Sequence, residues 1–260
     1  MLRELSLIAL LAAPSPGLAW GAEGHEIVAG IAARALSPAA KAQVAALLGS
    51  EAMLIHDSNW ADEVRDQYPQ ARRWHFVDIP LDAAGYDARR DCPDDNCVVA
   101  QIARDRNILA NHRLPTAQRA QALRFLIHFV ADVHQPLHAE DNGDHGGNAV
   151  RIYWSRNRTN LHHIWDVSVV ERLGYDAGAI AGDITRRVSP AQRKSWQSGT
   201  AVQWANESHQ IARDEIYSFV GDRRTVRLPR DYAEAERNVT QMQLARAGLR
   251  LAWLLNGALN

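Results

Sequence analysis

Cysteine is nearly absent from this chain: Cys92 and Cys97 are the only two in 260 residues. A CxxxxC metal half-site would need a second cysteine pair to complete it, and there is none, so the spacing in DCPDDNC reads as a small disulfide stapling a loop. Charge of one sign is lacking too. The formal net charge is −1, which excludes a bulk basic field that would draw in nucleic acid. A polyanionic substrate would have to be held by a local site, and bound cations could supply the positive charge there. Long apolar runs are missing beyond the N-terminus, and none reaches the roughly 18 residues of a membrane span. Internal repeats, low-complexity linkers and charge blocks are missing as well, so the chain reads as one compact unit.

The N-terminus has a different character. Arg3, the apolar run Leu5 to Ala13, and the small residues ending at Ala19 have the form of a secretory signal over residues 1–19. Its removal would leave a chain starting at Trp20, in an oxidising compartment where the Cys92–Cys97 pair would be joined. Localisation is therefore expected to be secreted or periplasmic. Ala- and Arg-rich composition with two lysines looks bacterial, which leaves the sequons at Asn157, Asn206 and Asn238 unused.

Apolar spacing at three and four residues predicts a mainly helical, all-α fold. Helices are expected over 24–36, 38–48 (with Ser37 as its N-cap), 96–112, 116–133, 161–172, 176–188, 200–220 and 232–255. Residues 148–154 alternate and are β-branched, the best candidate for a strand in a small β-hairpin. The segment Arg73-Trp74-His75-Phe76-Val77-Asp78 looks extended.

Several motifs carry ligating chemistry. HFVADVHQPLH places His128 and Asp132 four residues apart, with His138 just past Pro136; LHHIWD repeats the interval with His162 and Asp166. Residues i and i+4 share a helix face, and imidazole nitrogen and carboxylate oxygen are zinc ligands. His128 and Asp132 alone could equally form an ion pair. Their apolar flanks, Phe125 to Val130, place the pair in a buried helix, where charges need partners or a metal. Upstream lie Trp20-Gly21-Ala22-Glu23-Gly24-His25 and Asn59-Trp60-Ala61-Asp62, beside the His75 segment.

Taken in order, WGxxGH, WADxxR, HFxD, HFxxDxxQPLH, GGN and LHxxWD resemble the zinc-dependent class I nucleases, the mung-bean-type single-strand nuclease and 3′-nucleotidase family. The resemblance runs from Trp20 to about Asp166; beyond it only compatible helices are seen. It implies a nuclease domain over 20–260, with the helical fold shared with bacterial zinc phospholipase C, and three Zn2+ per chain. Asp62, His75, His128 and Asp132 would hold one ion. Trp20, through its freed α-amino group and carbonyl oxygen, would hold a second with His25 and a bridging Asp132. His138, His162 and Asp166 would hold the third. The family mechanism implies in-line attack by a metal-bound hydroxide, with Asp78 orienting the water and Arg65 neutralising transition-state charge. Phe76, Gly147 and Asn148 match base-binding positions, Gly146 belongs to the same loop, and His145 adjoins it. Substrates would be single-stranded DNA and RNA and 3′-nucleotides, giving 5′-mononucleotides; the protein would act as a monomer. Two other readings are a zinc phospholipase C, against which Asp166 and GGN weigh, and a non-catalytic extracellular zinc-binding protein, which would need neither Arg65 nor Asp78. His56, His112, His163 and His209 are expected not to be ligands, and His134 to lie behind the ligands or face solvent.

Overall fold

The computed structural model describes residues 20–260; the signal expected over 1–19 lies outside them. The fold is mainly helical, as the periodicity predicts. Its principal helices are Ala22–Ala35, Pro38–Leu48, Val98–Ala110, Thr116–Asp132, Ala177–Arg187, Pro190–Trp196, Ala201–Ile211 and Arg237–Leu259. The Ser37 hydroxyl accepts from the Ala40 amide at 3.1 Å, capping the second helix, which ends in left-handed backbone at Gly49.

The first helix packs against the last one and against Ala177–Arg187. Closeness there depends on Gly248, where a Cβ would fall 2.5 Å from that of Ile31. Helix Thr116–Asp132 runs through the middle of the molecule, with every residue from Phe125 to Asp132 buried. Burying each large side chain there contributes about 1.5–3 kcal/mol, so the helix carrying His128 and Asp132 is held rigidly. Cys92 and Cys97 form a disulfide that staples the loop ahead of Val98–Ala110.

Four expectations are corrected. The β element is larger than a hairpin. Strands β1 (Arg151–Trp154) and β2 (Asn157–Asn160) pair antiparallel, and β3 (Thr225–Arg227) adds in parallel to β1, in the order β2-β1-β3. Strand β1 begins at Arg151 because the preceding glycine loop turns back on itself, with Gly146 and Gly147 at positive φ. The segment Pro69–His75 is a 3-10 helix, and extended backbone starts only at Phe76. Pro69 fixes the helical entry, while alternation through Trp74 and Phe76 imitates a strand. Finally, the expected helices 161–172 and 200–220 each contain a π-helical turn, Ile164–Ser168 and Ala212–Tyr217, and 232–255 is broken at Glu236. The described residues contain no helix long and apolar enough to cross a membrane.

Candidate metal centre

Five chain segments converge on one buried locus. Helix Thr116–Asp132 supplies His128 and Asp132 one turn apart. Asp132 ends the helix, the chain turns at Pro136, and a 3-10 turn presents His138. The π-helical turn carries Asp166 opposite His162; such wide turns recur at functional sites. His75 ends the Pro69–His75 turn, Asp62 lies in the short helix Trp60–Glu63, and His25 lies in the first helix.

The approaches are close. Asp132 Oδ2 lies 3.1 Å from His75 Nδ1 and 3.3 Å from His128 Nε2, while its Oδ1 lies 3.2 Å from His25 Nε2. Asp62 is 3.7 Å from His128 Nε2 and 3.8 Å from His75 Nδ1. His162 Nε2 is 3.1 Å from Asp166 Oδ2 and 3.2 Å from His138 Nε2. Three ligating groups result: His25, His128 and Asp132; Asp62, His75 and His128; His138, His162 and Asp166. Ligands at 2.0–2.1 Å from a tetrahedral zinc stand about 3.3–3.4 Å apart, so these spacings suit that ion.

Hydrogen bonding decides what the imidazoles offer. His128 Nδ1 donates to the Ser58 carbonyl at 2.8 Å, His138 Nδ1 to His75 at 2.9 Å and His162 Nδ1 to Gly146 at 2.6 Å. A carbonyl only accepts, so each of these rings carries its proton on Nδ1 and presents a lone pair at Nε2. When His162 is neutral, its Nε2 lone pair faces that of His138 at 3.2 Å, an arrangement relieved by a cation between them or by a proton that His162 shares with Asp166. Buried His25 Nδ1, His75 Nε2 and Asp166 Oδ2 have no hydrogen-bond partner. Burial, followed by the neighbouring imidazoles, holds His128 and His138 well below the ordinary histidine range. Burial pulls His162 down as well, but Asp166 overrides it and raises the ring. Burial pushes Asp132 up to about 7, against the His75 hydrogen bond. A desolvated set of imidazoles, His128 and His138 held neutral, with costly carboxylates beside them fits divalent cations.

The glycines of the motifs have steric reasons. A Cβ at Gly24 would sit 2.8 Å from that of Trp20, whose buried indole donates to the Ala131 carbonyl at 3.0 Å. Gly146, at φ +60°, would place a Cβ 2.6 Å from the Leu137 carbonyl, and its own carbonyl receives the His162 proton. Trp20 backbone lies against the His25 ring, and the Gly21 amide donates to the Asp166 carbonyl at 2.7 Å.

The remaining expected residues surround this locus. Arg65 pairs with Asp62. Asp78 is half-buried on the extended strip that the Val77 amide ties to the His138 carbonyl at 2.8 Å; it meets Arg73 at 3.1 Å. Burial raises its carboxyl against the pull of Arg73, with Asp141 adding to the rise. Phe76 is half-buried under the Arg73 guanidinium, 5.5 Å from the ring centre. Gly147 is buried with its amide on Asp144, while Asn148 is exposed and donates to the His145 carbonyl. His163 is exposed. His134 faces neither solvent nor the ligands: it bonds the Val130 carbonyl and Arg250. His209, expected not to be a ligand, is buried against the Ala83 carbonyl, away from the three ligating groups.

Sequence reading missed the buttresses. Gln135 donates to Asp166 at 2.6 Å while accepting from the Leu137 amide; its place inside HFxxDxxQPLH was the available signal. The buried Tyr217 hydroxyl, 2.9 Å from Glu140 and 2.8 Å from Asp144, had no local signal.

A family model described as S1/P1 Nuclease matches residues 20–260. The chain belongs to the S1/P1 nuclease family. It is 33% identical to Endonuclease 2 of Arabidopsis thaliana, with 91% of this chain and 89% of that protein covered. It is 30% identical to Nuclease S1 of Aspergillus oryzae (90% of each covered) and to Nuclease P1 of Penicillium citrinum (91% and 97%). These relatives are nucleases, which favours that reading over a phospholipase or a storage protein.

Proposed function

We propose that this chain is an exported, zinc-dependent phosphodiesterase that cleaves single-stranded DNA and RNA to 5′-mononucleotides and dephosphorylates 3′-nucleotides. The convergence of imidazole lone pairs and buried carboxylates on one locus carries the reading; family membership directs it toward phosphodiester hydrolysis. Asp62, His75, His128 and Asp132 would hold one zinc; Trp20, His25 and Asp132 a second; His138, His162 and Asp166 a third. Bound zinc supplies Lewis acidity and brings the pKa of water towards about 7. Every proposed ligand comes from one chain, which suits a monomer.

The protein's own groups do the rest. Asp78, its proton affinity raised by burial, holds and orients the attacking water. Arg65, fixed by Asp62, offers a planar fork of donors to the phosphate as charge accumulates. Gln135 holds Asp166, and the Gly146 carbonyl holds His162, so the cage keeps its shape through turnover. Phe76 provides a face on which an unpaired base stacks. Gly147 and Asn148 line the base edge, with the Asn148 amide exposed. Export removes residues 1–19 and frees the Trp20 amine, so the uncleaved chain should lack the second ion.

N-terminal sequencing, metal counting and hydrolysis assays on the exported protein test this together. The expected results are a start at Trp20, about three zincs per chain by family resemblance, and chelator-sensitive release of 5′-mononucleotides from single strands. Hydrolysis that survives full chelation would overturn the reading.

A further inference from the structure

Outside the cage lies a recess with aromatic walls and a buried carboxylate. A cavity of about 430 Å³, within the range of small-molecule sites, opens between Tyr68, Trp74, Phe125 and the helix Val98–Ala110. Tyr68 and Trp74 stand at 83° and 77° to the Phe125 ring, with centroids 6.2 and 5.8 Å from it. Asp105 lines the same cavity, is 95% buried (5% exposed), and its Oδ2 has no hydrogen-bond partner. Its neighbour Arg104 lines the cavity as well, with its guanidinium 5.7 Å from the Trp74 ring centre and bonded to Gln101, and it forms no ion pair with Asp105. Gln121 donates to the Tyr68 hydroxyl at 2.9 Å, leaving its carbonyl oxygen as a further acceptor.

A desolvated carboxylate without donors is costly, and each such group in a folded protein calls for an explanation. The structural ones fail here: Asp105 caps no helix end and receives no hydrogen bond or salt bridge from any described residue. A ligand that brings donors would account for it. Aromatic walls select a flat ring, and a carboxylate with two acceptor oxygens selects adjacent N–H donors lying in the ring plane. Among nucleobases, guanine offers such a pair at N1 and its exocyclic amine; hypoxanthine keeps only the first, and adenine lacks the N1 proton.

From this geometry we infer that the Tyr68–Trp74–Phe125 recess is a guanine-selective base pocket, with Asp105 reading the Watson–Crick edge. The inference rests on the nucleic-acid reading above and extends it to a second base of the strand. Its position suits that role. Trp74 directly precedes His75, and Phe125 stacks on Phe129 at 5.1 Å, whose ring meets the His75 ring at 5.2 Å. Pocket and cage therefore share a wall, and a strand whose phosphate lies at the cage can place a neighbouring base in the recess.

Calorimetric titration of the mature, zinc-loaded protein with guanosine, inosine and adenosine tests it. Guanosine should bind roughly tenfold or more tightly than inosine, because one charge-assisted bond is lost. Asp105→Asn should collapse that ratio towards one, since the amide presents one acceptor and one donor. Equal binding of guanosine and inosine by the wild type, or an unchanged ratio in the variant, overturns the inference. Tyr68→Leu is an independent check: it must weaken all three nucleosides together, and undiminished guanosine binding refutes the pocket. Hydrolysis of a single-stranded oligonucleotide is measured on the same preparation. Zinc-dependent cleavage without Asp105-dependent selectivity removes only the pocket, whereas selectivity without cleavage removes only the nuclease reading.

Discussion

Replacing Asp132 is the most demanding test of the cage. Its two oxygens lie 3.1–3.3 Å from His25, His75 and His128, so one carboxylate touches imidazoles of both groups that contain His128 and is proposed to bridge two ions. Asp132→Asn keeps the shape, but removes the charge and turns an N–H donor towards imidazoles that have lone pairs to offer. Binding that favours the folded state adds about 2.7 kcal/mol per ion at one hundred times the dissociation constant. Across the 241 residues from Trp20 to Asn260, an unfolding entropy of about 2.1 cal/mol/K per residue gives about 0.5 kcal/mol per degree, hence roughly 5 °C per ion. Wild type should therefore lose roughly 10 °C of Tm to chelation through the two ions proposed to share Asp132, and more through the proposed third. The variant should count about two fewer zincs and show only the third ion's chelator-sensitive shift in scanning calorimetry. A variant with the full metal count and the full wild-type shift would refute the reasoning outright.

Asp78→Asn should leave the metal count and the chelator-sensitive shift intact while lowering kcat on single-stranded DNA, a smaller loss than that from Asp132→Asn; equal, mild losses from both would contradict the assignment. Gly146→Ala would force a Cβ to within 2.6 Å of the Leu137 carbonyl and disturb the acceptor of His162, so it should cost about 1–3 kcal/mol in urea unfolding and release the third zinc first. Arg65→Lys should retain zinc yet lose activity, because an ammonium cannot reproduce the guanidinium fork; unchanged kcat would remove Arg65 from the chemistry. Asp105 is raised by burial to about 7 from 3.8, so the folded state binds its proton more tightly than the unfolded chain does. Its cost is absent below about pH 4, grows through pH 7 and stays constant above, and Asp105→Asn should gain on wild type by up to roughly 4 kcal/mol at pH 8 but little at pH 4.

What the sequence displayed was whatever lies within a turn or two of itself. His128 with Asp132 and His162 with Asp166 are readable because helix geometry alone places them on one face, and the apolar flanks of the first pair announce its burial. Ser37 before Pro38 announces a cap for the same local reason. Ser189-Pro190 with Gln192 announced another just as clearly, and the helix Pro190–Trp196 was overlooked there. The Trp74–Asp78 segment misled because it straddles a boundary: the 3-10 turn ends at His75 and extended backbone starts at Phe76, where the Val77 amide meets the His138 carbonyl, and alternation in sequence does not mark that change. Strand β3 was illegible, since three residues gain strand character only by pairing with β1, more than seventy positions earlier. The Ser58, His75 and Gly146 carbonyls that set the imidazole tautomers are main-chain groups, and no residue type advertises them.

Charge explains why such a cage belongs in this chain. A net charge of −1 gives the surface as a whole no hold on a polyanion, and an isolated basic pocket would have to keep several cations apart in a dry interior. Three proposed divalent ions against the three carboxylates of Asp62, Asp132 and Asp166 leave a local excess of about three positive charges, with neutral imidazoles filling the remaining positions. That charge is concentrated where a phosphate must be bent towards its transition state, and it exists only after the ligands have folded together. Binding of a single strand should accordingly depend on salt much less steeply than it does for proteins that neutralise many phosphates along their surface, and far more steeply on free zinc.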